Sequence, residues 1–348
     1  MALKVITVEG LYGFLRKLKG DYRVVGVKAE DGFFAFAEIG DPQEVVLDYP
    51  ITLYPLKAFL LPPREEYLRF RIDGRPEVET QFEEIPPTVF FGMHPCDLHS
   101  LWLLDTAFMG DATDALYEGR RKNFVFVVMD CLRPCDEYAF CKDMGTLYVD
   151  EGYDILLTDL QNGLYAVRTG SDRGLVILER YTEVRDATPR EEEMLERIYR
   201  EREEAFTNRV KPRKEELPEL LWRGYNSPYW EEVSKNCLSC GSCNLVCPTC
   251  YCFDVLDEVE INLKEGKRLR TWDGCMLVDF ARVAGGENFR PSRADRLRHR
   301  FLRKGKYLVD RYGKLGCVGC GRCTRHCLVK INPIEVYNGL YNRIQSEG

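Results

Sequence analysis

The spacing C-x2-C-x2-C-x3-C occurs twice in this chain, at Cys237, Cys240, Cys243 and Cys247 and again at Cys317, Cys320, Cys323 and Cys327. Few sequence features restrict a fold so strongly. Three thiols separated by two residues wrap one cubane cluster, and the fourth points away to ligate the other cluster of a two-cluster ferredoxin. The pattern therefore assigns Cys237, Cys240, Cys243 and Cys327 to one [4Fe–4S] cluster. It assigns Cys317, Cys320, Cys323 and Cys247 to a second. Gly241, Ser242, Gly319 and Gly321 are small, as suits loops whose amides approach sulfide closely. Zinc sites typically use separated C-x2-C pairs, two per metal, and a doubled triple spacing does not fit that arrangement.

The chain has 15 cysteines in 348 residues, so seven lie outside the two motifs. The first ten residues lack a basic region followed by an apolar stretch, and no apolar run approaches the roughly 20 residues of a membrane span. We therefore expect a cytoplasmic protein, where thiols stay reduced and many cysteines mean metal or redox chemistry. Cys96, Cys131, Cys135 and Cys141 make one group, a candidate third iron–sulfur cluster, with His94, Asp97 and Asp136 nearby as substitute ligands. Zinc or inert buried thiols are the competing readings. Cys250, Cys252 and Cys275 make the other group. They either hold a further cluster with an outside ligand or pack as small apolar groups that shield the clusters, and the second reading is preferred.

The N-terminal part reads as mixed α/β. Tyr22–Glu30 and Gly32–Ile39 meet at Asp31-Gly32, and Asp154–Leu160 and Leu164–Arg168 meet at Asn162-Gly163, both hairpin signals. Between them, Thr88–Met93 and Asn123–Met129 are short apolar strands flanking a helix at Leu98–Phe108, with Asp97 as its N-cap. A strand–helix–strand unit favours parallel pairing, which brings Cys96 and Cys131 to the same sheet edge, where α/β sheets place their sites. Helical spacing over Pro189–Phe206 is followed by the charged, proline-interrupted stretch 211–218. The expected organisation is a mixed α/β domain at 1–210, a linker at 211–225 and an α-helical ferredoxin-like dicluster domain at 226–348. The insertion between the two motifs is expected to add helices at Leu256–Leu263 and Arg293–Lys304.

From Arg282 to Arg325 there are 13 Lys or Arg residues against Glu287, Asp295 and Asp310, about +10 in a chain of net charge −7. That stretch reads as compensation for cluster charge or as a docking face for an acidic partner. No nucleic-acid partner is expected. No G-x-G-x-x-G after a strand, P-loop, H-E-x-x-H or nucleophile elbow is present, so nothing marks a nucleotide or substrate site.

Several further segments carry a family resemblance. They are the run Phe91 to Leu98 around Cys96, Leu104-Asp105, Tyr117 with Arg120-Arg121, Cys131 with Phe140-Cys141, Cys247 to Cys252, Trp272 to Cys275, and Ala284 to Pro291. Together with the second motif they resemble the iron–sulfur beta subunit of soluble sulfhydrogenases, and the iron–sulfur subunit of anaerobic sulfite reductase is similar. The resemblance implies an electron-transfer subunit, not catalytic alone. It would relay electrons between a flavin subunit using NAD(P)H and a nickel–iron hydrogenase-type or, next, a sulfite reductase-type module. The alternative is an iron–sulfur reductase acting on disulfides at a special N-terminal cluster. Two departures stand out. Ala139-Phe140-Cys141 replaces the family's Cys-Phe-Cys, which leaves Cys135 to take the ligand role, and Leu328 replaces the proline after the last ligand.

Overall fold

The computed structural model describes residues 3–80 and 85–347. The first two residues of the N-terminal stretch read above lie outside them. Twelve strands are described: β1 (Lys4–Thr7), β2 (Arg23–Glu30), β3 (Phe33–Glu38), β4 (Arg64–Arg71), β5 (Glu77–Thr80), β6 (Thr88–Met93), β7 (Phe124–Met129), β8 (Ile155–Asp159), β9 (Leu164–Thr169), β10 (Arg185–Asp186), β11 (Phe253–Val259) and β12 (Glu265–Trp272). Eight form one sheet in the order β10-β1-β9-β8-β7-β6-β2-β3. The central pairs β2–β6, β6–β7 and β7–β8 are parallel.

β6 and β7 are buried along their whole length because helices cover both faces of a parallel sheet. The period of two divides their side chains. Val89, Phe91, Val125 and Val127 face the helices Val8–Leu18 and Asp172–Tyr181, whereas Phe90, Phe126 and Val128 face Leu98, Leu101 and Leu104 of the crossover helix. That helix runs Pro95–Met109, with His94 as its N-cap residue. The expected cap at Asp97 is thus corrected. Pro95 takes the first helical position, where its missing N–H costs nothing, and Asp97 falls inside the first turn.

Both hairpins form. Asp31 and Gly32 turn with positive φ, as a two-residue primed turn requires. The second loop is one residue longer than expected, with Gln161 and Gly163 in the left-handed region and Leu160 N–H bonded to the Leu164 carbonyl. The long helix is Pro189–Ala205, entered by a reciprocal capping box between Thr188 and Glu191.

The insertion between the motifs departs from expectation. Leu256–Leu263 is not a helix. Its residues belong to β11 and the turn beyond it, where Leu263 has positive φ. β11 and β12 leave the C-terminal segment to pair with β4 and β5 in an antiparallel four-stranded sheet, β11-β12-β4-β5. Pairing with a strand about 200 residues away overrides local propensity, which is invisible in the window itself. The second half follows expectation as the helix Arg293–Leu302, continued by a π-turn at Arg303–Tyr307. Around it a second core gathers Leu221, Trp230, Phe301, Leu302, Tyr337 and Leu340. The proline-interrupted stretch contributes directly, because the helix Leu217–Arg223 buries Leu217, Leu220 and Leu221 there.

Candidate metal centres

The two cysteine motifs adopt the same backbone path. Each closes into a one-turn helix, Ser242–Leu245 and Arg322–Arg325, entered through a left-handed glycine at Gly241 and Gly321. Two residues earlier the left-handed position recurs at Ser239 in the first motif and Gly319 in the second. The second loop is the more confined. A Cβ on Gly319 would lie 2.5 Å from the Phe140 carbonyl oxygen, and the Phe140 N–H donates to the Gly319 carbonyl at 2.8 Å. Gly319→Ala is therefore expected to cost about 1–2 kcal/mol from the left-handed backbone alone, and more from the clash. Chemical unfolding of the loaded protein measures it.

Folding places the thiols around cavities. Cys237, Cys240, Cys243 and Cys327 line one, closed by Met276 and Leu297, with Cys323 at its edge. Cys247, Cys317, Cys320 and Cys323 line another, with Phe301 and Tyr337. Each cavity thus draws a thiol from the opposite motif. Arg300 lines both. Cys240 is exposed, and the Ser242 hydroxyl and N–H beside it lower its thiol pKa. The other centre lies deeper. Burial pushes Cys317 up to about 12 and Cys320 to about 11. Among the described residues no three His, Cys, Asp or Glu side chains gather around a point fit for a single ion. The thiols ring chambers instead.

Buried cations supply the charge such chambers need. Arg300 is buried, its Nε makes no hydrogen bond, and among the described residues no carboxylate pairs with it. Burial acts against its charge, but Cys243, Cys323, Cys247 and Cys250 surround it and raise its pKa well above the usual value. Lys304 donates to the Thr249 hydroxyl at 2.6 Å and is likewise raised, against its burial, by Cys247, Cys250 and Cys317. An unpaired guanidinium among neutral thiols would carry a large desolvation cost. Thiolates and sulfides of an iron–sulfur cluster supply the missing negative charge, so donor set and surroundings fit such a group.

The N-terminal thiols gather as two neighbouring pairs. Cys96 enters the helix after β6 and Cys131 follows β7, both at the carboxyl edge of the parallel strands. Cys96 and Cys135 pack with Ile51, Val318 and Cys320, and Cys131 packs with Cys141, Leu147 and Phe206. Burial first, then repulsion from Cys135, pushes Cys141 up to about 12. Two of the substitute ligands are engaged elsewhere. Asp97 pairs with Arg322, and Asp136 with Arg325. His94 stacks on Tyr49, its ring centroid 4.3 Å away, and its buried Nδ1 has no hydrogen-bond partner. His326 is the C-cap of its one-turn helix rather than part of either chamber.

The remaining three thiols are brought together as well. Cys250, Cys252 and Cys275 line a separate chamber with Asn244, His299 and Lys304. Lys57, remote in the chain, reaches the same loop, donating to the Cys250 carbonyl at 2.7 Å and the Asn244 carbonyl at 3.3 Å. Burial pulls Lys57 down to about 8 against the opposing influence of Cys250 and Cys247. Sequence reasoning missed Lys57 and Asn244. The basic surplus at 282–325 was the one signal for Arg300, Lys304 and Arg322, its buried members.

Comparison with known proteins agrees with this geometry. A family model described as a 4Fe-4S dicluster domain matches residues 236–331. The sulfhydrogenase 2 subunit beta of Pyrococcus furiosus is 35% identical over 324 residues, covering 93% of each chain. No solved structure gives a significant match. Among the described residues no helix is long and apolar enough to cross a membrane.

Proposed function

The chain belongs to the family of sulfhydrogenase beta subunits, and from that premise we propose that it relays electrons within a multisubunit oxidoreductase. Two [4Fe–4S] clusters carry the relay, one on Cys237, Cys240, Cys243 and Cys327, the other on Cys317, Cys320, Cys323 and Cys247. A third iron–sulfur cluster sits on Cys96, Cys131, Cys135 and Cys141, against Cys320. The chain divides into an α/β unit at 1–210 and a cluster unit at 226–348, joined by the segment 211–225 and by the β4–β12 pairing. Its partners are a flavin subunit using NAD(P)H and a catalytic subunit of nickel–iron hydrogenase type, with a sulfite reductase type as the second choice. The complex is soluble and cytoplasmic.

The observation that carries this reading is the shared wall. Arg300 and Cys323 border both dicluster chambers, so two clusters would lie next to each other. When bound, the clusters supply one-electron chemistry. The chain's own residues hold them, balance their charge through Arg300 and Lys304, and exclude water from the deeper one through Phe301 and Tyr337. The exposed Cys240 puts the outer centre within reach of a docking partner.

Disulfide chemistry at the N-terminal thiols is the second reading. A surface cavity of about 290 Å³ lined by Cys131, Cys135 and His94 favours it. Anaerobic purification with iron quantification and EPR tests the relay. At least about eight irons per chain are expected for two clusters, and fewer would overturn the assignment. Disulfide turnover by the isolated chain would replace the relay by the second reading.

A further inference from the structure

We propose that Cys250, Cys252 and Cys275, with His299 as the fourth ligand, hold an additional cubane-type iron–sulfur cluster beside the dicluster pair. The proposal rests on the iron–sulfur reading above and goes beyond it, since these three thiols belong to neither motif.

Three stretches of chain build the chamber. Cys250 and Cys252 follow the first motif, Cys275 follows β12, Asn244 stands on the helix Ser242–Leu245, and His299 stands on the helix Arg293–Leu302. The Asn244 side-chain amide donates to the sulfurs of both Cys250 and Cys275 at 3.6 Å. Its orientation is fixed from the other end, where its carbonyl oxygen accepts the Met276 N–H at 3.2 Å. An amide aimed at two sulfurs favours thiolates, and hydrogen bonds to cluster sulfur are a recognised way of tuning such centres.

Charge points the same way. Thiols that merely filled space would be served by alanine or valine and would not need cations buried beside them. Yet Lys57, Arg300 and Lys304 all approach this group, and among the described residues none has a carboxylate partner. Arg300 and Lys304 also serve the deeper dicluster chamber. Lys57 lines neither chamber, but it donates to the Cys250 carbonyl at 2.7 Å and feels Cys250, Cys247 and Cys252. A desolvated ammonium supported only by carbonyl oxygens, with Trp272 4.1 Å from it, implies a counter-charge close to the Cys250 loop. Three thiolates on a cluster provide one.

The fourth position falls to His299. Its ring lines the chamber, makes no hydrogen bond among the described residues, and lies 5.8 Å from the Tyr307 ring. Asp273 also borders the chamber, but its carboxylate accepts the neighbouring Gly274 N–H at 2.6 Å. Imidazole replaces thiolate as an iron ligand in other iron–sulfur proteins. The position has a consequence for wiring, since the Cys250 thiol is hydrogen-bonded to that of Cys247 of the deeper cluster, while Cys275 acts on Cys243 of the outer one only through its charge.

The test uses the full-length chain, loaded and purified anaerobically. The double variant C252S/C275S should lose about four irons per chain, the content of one cubane. An iron count equal to wild type, or zinc in place of the missing iron, overturns the proposal. If that variant fails to fold, His299→Cys decides: conversion to an all-thiolate cluster should change one EPR signal and lower its potential, and an unchanged spectrum overturns the assignment. Wild-type protein with fewer than about eight irons would sink the dicluster reading itself, whereas a full count insensitive to C252S/C275S sinks only this cluster.

Discussion

Cys247→Ser is expected to damage the cluster of the other motif. Cys247 closes the chamber lined by Cys317, Cys320 and Cys323, and Cys327 closes the one lined by Cys237, Cys240 and Cys243. The crossed arrangement predicts paired phenotypes. The EPR spectrum of C247S should match that of Cys320→Ser, and the spectrum of Cys327→Ser should match that of Cys240→Ser. Each should lose about four irons. If each motif instead held its own four ligands, C247S would match C240S, and the crossed assignment would fall. C247S should also be more destabilising than C240S. Lys304 takes much of its electrostatic support from Cys247, so removing that sulfur leaves a buried ammonium less compensated. Cys240 has no such dependent and is exposed.

What could be read from sequence was local. β6 and β7 are unbroken apolar runs, and a strand covered on both faces needs nothing else to be recognised. Gly321 and Gly241 announce tight loops because left-handed backbone selects glycine. The convergence of Cys96 and Cys131 follows from parallel strand order alone. What escaped depends on partners remote in the chain. β11 is a strand because β12 also pairs β4, about 200 residues earlier. Lys57 matters because its loop folds against Cys250. His299 and Lys57 likewise reach the surroundings of Cys250, Cys252 and Cys275 from segments remote in the chain. The helical expectation for the insertion failed for half of it, and that half is where the two parts of the chain share a sheet. The buried Arg270 and Glu65, with the half-buried Asp114, tie the same junction, and nothing in the isolated residues foretells it.

Asp97→Ala should be among the most damaging single changes at a residue that is not an assigned cluster ligand. Asp97 and Arg322 are both fully buried, with Nη1 and Oδ1 2.9 Å apart. Arg322 also donates through Nε to the Thr52 carbonyl at 3.0 Å and through Nη2 to the Thr52 hydroxyl at 2.8 Å. The carboxylate comes from the crossover helix of the large sheet, and the guanidinium belongs to a residue that stands between Cys320 and Cys323 in sequence, so this pair fastens the α/β unit to the second motif. Burying two charges is costly, and the pair need not be a net gain over apolar residues. Removing one partner is different, because the other charge stays in a site without water. The expected loss is about 3–5 kcal/mol, a large share of the roughly 5–15 kcal/mol that holds a domain together. Asp97→Leu combined with Arg322→Met should recover much of it, since neither charge then remains. Denaturant unfolding of the anaerobic protein measures both. A loss below about 1 kcal/mol for the single variant would show that water enters and that the pair is not the fastening. Iron retention gives an independent readout: an uncompensated Arg322 beside Cys320 should draw the loop out of register and release the deeper cluster first, leaving the signal of the Cys240 centre in place.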